Sequence, residues 1–292
     1  MSVIEVSNLK KYYGKTKAVD GVSFAVEKGE VFGFLGPNGA GKTTTIRCMM
    51  DFVRPLAGRV SILGKDAHQD SVELKKKIGY LSGEVRLYGN WTGRAHIEFV
   101  RNLDGGKDYA QELIKRLDFD PSVKTKQLSS GNKQKLGIIL ALMLRPEVLI
   151  LDEPTLGLDP LLQNEIYDLI GELTDEATTV FMSSHNLAEV DRVCSRVGII
   201  KAGRMVARES IATLKKKKIS TVRVHFAQPV DKTVLLDENT QLVRETSDGV
   251  ILKVKGDVNP LVKRLSQHTL TDLDISQASL EDIFLEFYEK KE

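Results

Sequence analysis

The octapeptide Gly36-Pro37-Asn38-Gly39-Ala40-Gly41-Lys42-Thr43 fits the pattern G-x-x-x-x-G-K-[ST]. Its chemistry is that of a phosphate cradle. Glycines let successive backbone N–H groups curl around an anion, and a helix starting there aims its positive end at the same charge. Lys42 would reach the β- and γ-phosphates of a nucleoside triphosphate, and the Thr43 hydroxyl is suited to Mg²⁺. The rival reading, a dinucleotide-binding turn, requires G-x-G-x-x-G, which is absent here.

A second constellation ends the apolar run Val148-Leu149-Ile150-Leu151, where Asp152 and Glu153 follow at once. Phosphate-loop proteins place a carboxylate ligand for Mg²⁺ at the end of such a strand, the position of Asp152. The adjacent Glu153 is suited to take a proton from a water attacking the γ-phosphate, a general-base role.

These residues need a rigid frame, and the surrounding pattern predicts one. Val31 to Leu35 reads as a strand entering the glycine turn, and Thr43 onward as a helix. Val148 to Leu151 is apolar throughout, as expected of a central parallel strand covered on both faces. Thr179 to Ser183 and Val197 to Lys201 read as further strands, with helical character from Asn186 to Ser195 between them. Strands alternating with helices up to about residue 212 predict an α/β fold. From about 87 to 145 the texture is helical, with segments Ala95 to Leu103, Tyr109 to Leu117 and Gly131 to Leu144 punctuated by Gly105-Gly106 and Asp120-Pro121. A helical subdomain inserted into the α/β core is the expectation.

After Leu214 the pattern changes again. Lys215 to Lys218 reads as a solvated linker or helix face, with an acidic-partner contact as the sharper alternative. Val222, Val224 and Phe226 alternate as a strand, and Gln241 to Thr246 and Val250 to Lys255 flank a hairpin turn. Asn259-Pro260 suggests a helix cap followed by proline at the first helical position. Ser279 is read as capping a last helix with the apolar stripe Leu280, Ile283, Phe284, Phe287 and Tyr288. The expectation is an α/β domain over 1–214 and a small α+β domain over 215–292.

Composition narrows the classes. With 41% hydrophobic and 28% charged residues the chain is an ordinary globular one, so general disorder is excluded. The formal net charge of +2 gives no reason to expect nucleic acid as a partner, and residues 215–292 carry 13 basic and 13 acidic side chains, so neither part is a basic arm. Two cysteines, Cys48 and Cys194, exclude a disulfide scaffold and suit a reducing compartment. The N-terminal residues lack a signal-peptide pattern, and the longest apolar stretch, Leu136 to Leu144, is about half a membrane span.

Leu128-Ser129-Ser130-Gly131-Asn132 precedes a helical pattern, and its Ser129 stands 23 positions before Asp152. Alone it would read as a plain helix cap. With the phosphate loop and the Asp152-Glu153 pair, it resembles the signature motif of ATP-binding cassette (ABC) ATPases, usually L-S-G-G-Q. Other parts of that family's pattern then align. Tyr13 resembles the aromatic that stacks on adenine, and Leu156-Gly157-Leu158-Asp159 resembles the loop that crosses the dimer interface through Asp159. Ser183-Ser184-His185 resembles the switch motif whose histidine touches the γ-phosphate. The resemblance covers residues 1 to about 212. It implies an α/β P-loop NTPase of the ABC ATPase type, with ATP and Mg²⁺ as cofactors. The nucleotide would lie on Tyr13, the 36–43 loop and Thr44, with Mg²⁺ on Thr43 and Asp152, and Glu153 and His185 would be catalytic. Ser129, Ser130, Gly131 and Asn132 would act on ATP bound by the other subunit of a homodimer or heterodimer.

Two departures from the family pattern stand out. Gly83 occupies the place of the usual Q-loop glutamine after Ile78-Gly79-Tyr80-Leu81-Ser82, leaving Glu84 as the candidate substitute. In the signature, Ser130 replaces a glycine and Asn132 the glutamine. A single cassette without membrane spans resembles the ATPase subunit of an ABC transporter. The Gly83-Glu84 variant and the tail Ser279 to Phe284 resemble ATPases paired with ABC-2 type integral membrane subunits, mostly exporters. Such a subunit would be cytoplasmic and peripheral on the inner face of the cell membrane. Residues from Tyr88 to Leu103, with Trp91, would dock the membrane partner, or Asn90-Trp91-Thr92 is a plain helix-entry turn. A soluble ABC ATPase in nucleic-acid repair or translation is the alternative, and a nucleotide switch without turnover a third reading.

Overall fold

The computed structural model describes residues 2–104, 108–216 and 219–277. The chain divides into two compact units, Met1–Glu209 and Ser210–Glu292. The first opens with strands β1 (Ser2–Tyr13), β2 (Thr16–Glu27) and β3 (Val31–Leu35), helix α1 (Lys42–Met49), strands β4 (Ala57–Ile62) and β5 (Lys65–Asp66), the short α2 (Ser71–Lys75) and strand β6 (Ile78–Leu81). Three helices follow, α3 (Gly93–Asp104), α4 (Ala110–Arg116) and α5 (Ser130–Leu142). The unit then runs through β7 (Val148–Asp152), α6 (Pro160–Asp175), β8 (Thr179–Ser184), α7 (Leu187–Val193), β9 (Arg196–Lys201) and β10 (Arg204–Ser210).

Two sheets form this unit. One is six-stranded, ordered β10-β9-β3-β8-β7-β6, with parallel pairing from β9 through β3, β8 and β7 to β6. Every residue of β3, β7 and β8 is buried, which explains why these strands are apolar runs and not alternations. The other, ordered β2-β1-β4-β5, is antiparallel. Its alternation is interrupted in β1, where the register shifts between Val6 and Leu9 and Asn8 takes φ +47°. That bulge returns Leu9 to the buried side.

The sheets meet through phenylalanines. Phe24 of β2 packs on Phe32 and Phe34 of β3 and on Phe181 of β8, with ring centroids 5.4 to 5.5 Å apart. Truncating any of these rings to alanine should cost about 3–5 kcal/mol. Helices α3, α4 and α5 are inserted between β6 and β7, and Arg116 of α4 ties the insertion to α6 through Glu165 and Glu172. Gly79 and Gly137 let α5 lie close on β6: a Cβ on Gly79 would stand 2.1 Å from the Ala141 carbonyl oxygen.

The second unit contains α8 (Ile211–Lys216), β11 (Ile219–Phe226), β12 (Thr240–Glu245), β13 (Gly249–Lys255), α9 (Asn259–Leu265) and β14 (Leu270–Gln277). Its sheet, ordered β12-β13-β11-β14, is antiparallel throughout. This is the split βαβ arrangement, with a 3₁₀ turn at Lys232–Leu235 where its first helix would stand. Leu261 and Leu265 of α9 cover Val222, Val224, Leu252 and Val254.

Some expectations change. Asn259 is the first helical residue of α9 and not its cap; its backbone N–H donates to Asp257 Oδ1 at 3.0 Å, so the acceptor stands two residues earlier. Strand β14 has no counterpart in the sequence reading, because Asp272 and Asp274 interrupt its apolar residues. Gly105-Gly106, Lys217-Lys218 and the helix expected from Ser279 lie outside the described residues.

Candidate active site

Strand β3 ends at Leu35 and α1 begins at Lys42, so residues 36–41 must turn within a confined space. Two glycines make the turn feasible. A Cβ on Gly36 would lie 2.4 Å from the Ile200 carbonyl oxygen, and one on Gly41, at φ +109°, 2.2 Å from that of Ala18. Ala40 N–H donates to the Pro37 carbonyl at 3.1 Å, leaving Pro37, Asn38 and Gly39 exposed at the tip. Lys42 opens α1 with its side chain buried. Its ammonium donates to the carbonyls of Gly36 at 2.6 Å and Pro37 at 3.3 Å. Thr43 and Thr44, half-buried, follow in the first turn.

Beside this loop, β7 delivers Asp152 and Glu153. Lys42 Nζ lies 3.1 Å from Glu153 Oε1, a buried oxygen that receives no hydrogen bond. The other oxygen, Oε2, lies 2.7 Å from His185 Nδ1, within hydrogen-bond distance. Glu153 itself sits at φ +52°, a left-handed backbone uncommon outside glycine. Its N–H donates to the carbonyl and to the hydroxyl of Ser183, at 3.2 and 3.1 Å, which holds the residue in that conformation. Ser183 Oγ in turn donates to Asp152 Oδ1 at 2.5 Å. Near Asp152, burial and the carboxylate's charge push the Tyr80 phenol up to about 12. The oxygen donors of Thr43 and Asp152 are hard ligands of the kind Mg²⁺ takes. Glu153 Oε1 is buried and meets the Lys42 ammonium without making a hydrogen bond, so this polar atom keeps unused accepting capacity within the site.

Residues read from the sequence thus converge: Lys42, Glu153 and His185 are in contact, with Asp152 joined through Ser183. Tyr13 stands apart at the end of β1, exposed, with the Lys11 ammonium 5.5 Å from its ring centroid. Ser129 caps α5, its Oγ accepting from Asn132 N–H at 3.2 Å. Ser130 and Gly131 form the first turn, and Gly131 faces Leu158, whose Cδ2 would be 3.8 Å from an added Cβ. Asp159 caps α6 by accepting from the N–H groups of Leu161 and Leu162. Further along α5, Gln134 Nε2 donates to the Pro154 carbonyl at 2.9 Å, linking the signature helix to the loop after Glu153.

At the Q-loop position, Gly83 approaches Asp152, whose carboxylate carbon would be 3.5 Å from an added Cβ. Glu84 is turned to solvent and paired with Arg86 at 2.8 Å, so its carboxylate is not directed into the cluster. Sequence reasoning missed Glu189. This residue of α7 is only 2% exposed, and it accepts from Thr155 Oγ1 at 2.7 Å and from Ser184 Oγ. Its one signal is position: four residues after His185, one helical turn on from a capped helix start at Asn186.

The family described as ABC transporter matches residues 19–156. Bacitracin transport ATP-binding protein BcrA of Bacillus licheniformis is 33% identical over 296 residues, covering 97% of this chain and 96% of that protein. Daunorubicin resistance ATP-binding protein DrrA3 of Streptomyces coeruleorubidus is 37% identical over 221 residues, covering 73% of this chain and 70% of its own length. Among solved structures, an ATP-binding subunit of an ABC transporter aligns with a TM-score of 0.69 at 28% identity, over 74% of this chain and 92% of that one. The dimeric structure of MJ0796, a bacterial ABC transporter cassette, aligns with a TM-score of 0.66 at 26% identity, over 71% and 98% respectively.

Proposed function

The chain belongs to the ATP-binding subunits of ABC transporters, and on that footing we propose that it powers efflux through a separate ABC-2 type membrane subunit. It binds and hydrolyses ATP. One relative is named for bacitracin transport and another for daunorubicin resistance, which favours export of a compound of that kind. Among the described residues no helix is long and apolar enough to cross a membrane, and in this reading the membrane path would lie in the partner subunit. The protein would then sit peripherally on the cytoplasmic face.

The observation that carries the chemistry is the Lys42–Glu153–His185 contact chain at the ends of β3, β7 and β8. ATP would bind with its β- and γ-phosphates over the 36–43 loop, drawing the Lys42 ammonium from the carbonyls of Gly36 and Pro37 onto phosphate oxygens. Glu153, relieved of that ammonium, would accept the proton of the attacking water, and His185 would hold the γ-phosphate. Mg²⁺, held by Thr43 and Asp152, would neutralise charge developing on the phosphates. Tyr13 would stack on adenine. Ser129 and the backbone N–H groups near Gly131 would close on ATP held by a second ATPase subunit, since a capped helix start favours an anion.

An exposed aromatic cluster supports the docking role of the helical insertion. Tyr88 and Trp91 have ring centroids 4.8 Å apart, and Phe99 lies 5.6 Å from Trp91. The same stretch is hydrogen-bonded to the segment leading into the signature: Thr125 N–H donates to the Trp91 carbonyl at 2.9 Å and Lys126 N–H to that of Gly89 at 3.0 Å. A partner pressing on Trp91 would therefore move the approach to Ser129. Cysteines placed at Trp91 and Phe99 should crosslink to a co-expressed ABC-2 type membrane subunit. Crosslinks confined to residues 219–277 would overturn this docking face.

A further inference from the structure

Glu189 is buried on α7, and its carboxylate oxygens accept from Thr155 and Ser184, neither of them assigned to phosphate or metal. Burying a carboxylate is costly unless hydrogen bonds compensate it. Here the compensation comes from two hydroxyls on opposite sides of the site. Thr155, two residues beyond Glu153, donates from Oγ1 at 2.7 Å, and Ser184, directly before His185, donates from Oγ. Ser184 Oγ also accepts the Asn186 N–H at 2.9 Å, so the bridge reaches the cap of α7 itself. Burial pushes the Glu189 carboxyl above its ordinary range, while these two hydroxyls pull it back.

The geometry points to Glu189 as a positioning residue that sets the distance between the general base and the switch histidine. Glu153 is held on its backbone side by Ser183, the penultimate residue of β8. Glu189 adds the second tie, joining the loop after Glu153 to the end of β8 and to α7. Two ties on either flank make the 2.7 Å contact between Glu153 and His185 a fixed feature of the site. With the Glu189 tie removed, only the Ser183 tie would back the Glu153–His185 contact, and the base would lose its alignment with the attacking water. Misplacement of a catalytic group on the order of 1 Å can cost about 10²-fold in rate.

The inference rests on the roles proposed above for Glu153 and His185, and the test separates the two. The full chain is compared as wild type, Glu189→Ala, Glu189→Gln and Glu153→Gln, and with Glu189→Ala combined with Glu153→Gln. Steady-state and single-turnover ATP hydrolysis and affinity for a fluorescent ATP analogue are measured for each. Glu189→Ala should lower kcat by roughly 10–100-fold with KM and analogue affinity within about twofold, the pattern of an interaction needed only for the chemical step. Glu189→Gln should recover most of that loss, because an amide can accept from one hydroxyl and donate to the other. On the Glu153→Gln background, Glu189→Ala should have little further effect, since residues acting as a unit are non-additive. Should Glu189→Ala fail to fold, Thr155→Val carries the same expectation of lowered kcat at unchanged KM. A raised KM at unchanged kcat, an equal loss in the glutamine variant, or a full additional loss on the Glu153→Gln background overturns the positioning role. A fast Glu153→Gln enzyme would remove Glu153 as base whatever Glu189 does. A slow Glu153→Gln enzyme beside a fast Glu189→Ala enzyme overturns the Glu189 inference alone.

Discussion

Lys42 and Glu153 neutralise each other, the ammonium nitrogen 3.1 Å from a carboxylate oxygen that has no hydrogen bond of its own. The cation proposed to bind phosphate and the residue proposed as general base are thus partners, and on that reading nucleotide binding would part them. A buried ion pair that is broken from one side leaves an uncompensated charge, so a change at either residue is felt at the other.

Glu153→Gln removes the proposed proton acceptor while keeping the side-chain shape. ATP hydrolysis should slow by roughly 10²–10⁴, the usual worth of a general base, with ATP still bound. Steady-state phosphate release from the purified variant decides this; turnover near that of wild type would exclude Glu153 from the role.

For Lys42→Ala the expectation is different. Loss of the ammonium should weaken ATP binding by about tenfold or more and abolish turnover, with the fold retained. A fluorescent-nucleotide titration is the check, and unchanged affinity would contradict the phosphate-cradle reading.

Assembly provides a third prediction. The Glu153→Gln protein should dimerise with ATP and not with ADP, since uncleaved ATP would join each 36–43 loop to the opposite Ser129–Asn132 turn. Ser129→Arg should block the dimer while each monomer still binds nucleotide, because Lys42 and Tyr13 are untouched. Light scattering after size exclusion reads both outcomes. An ATP-dependent dimer that persists in the Ser129→Arg variant would count against a shared site.

The second unit carries its own pH signature. Arg264 Nη1 donates to Asp237 Oδ2 at 2.6 Å and holds that carboxyl at about 2, below its ordinary 3.8. The folded state therefore binds the proton less readily than the unfolded one. The stabilisation is complete above about pH 4 and is lost as pH falls toward 2. Asp237→Asn should lower the midpoint of thermal unfolding at pH 7, and the gap from wild type should shrink progressively below pH 4. A gap that is constant over that range would show that this ion pair is not responsible.

Much of this site was legible because its signals are local. A strand, a glycine turn and a helix lie within residues 31–49, and Asp152 and Glu153 directly follow an apolar strand, so neither needed tertiary information. The antiparallel sheet was less legible: the bulge around Asn8 breaks the alternation of β1, and β4 shows few buried positions. Glu189 was invisible for a different reason. Its burial depends on hydroxyls 34 and 5 residues away, and a glutamate on a short helix otherwise reads as solvated surface. Where Glu84 turns was not legible, since proximity in sequence to Gly83 does not control the direction of a long side chain, and Arg86 pairs with it.

The order of strands in the six-stranded sheet has a consequence for biosynthesis. Strand β3, which launches the phosphate-binding loop, pairs only with β8 and β9, both more than a hundred residues downstream. Phe32 and Phe34 cannot reach Phe181 until that stretch has left the ribosome. At about 5–20 residues per second, the nascent chain carries unpaired, strongly apolar strand edges for roughly seven to thirty seconds. Pairing over such separations is also slow to close. The early strands must therefore be kept from aggregating until residues 179–201 emerge, and added chaperone capacity should raise the yield of folded protein.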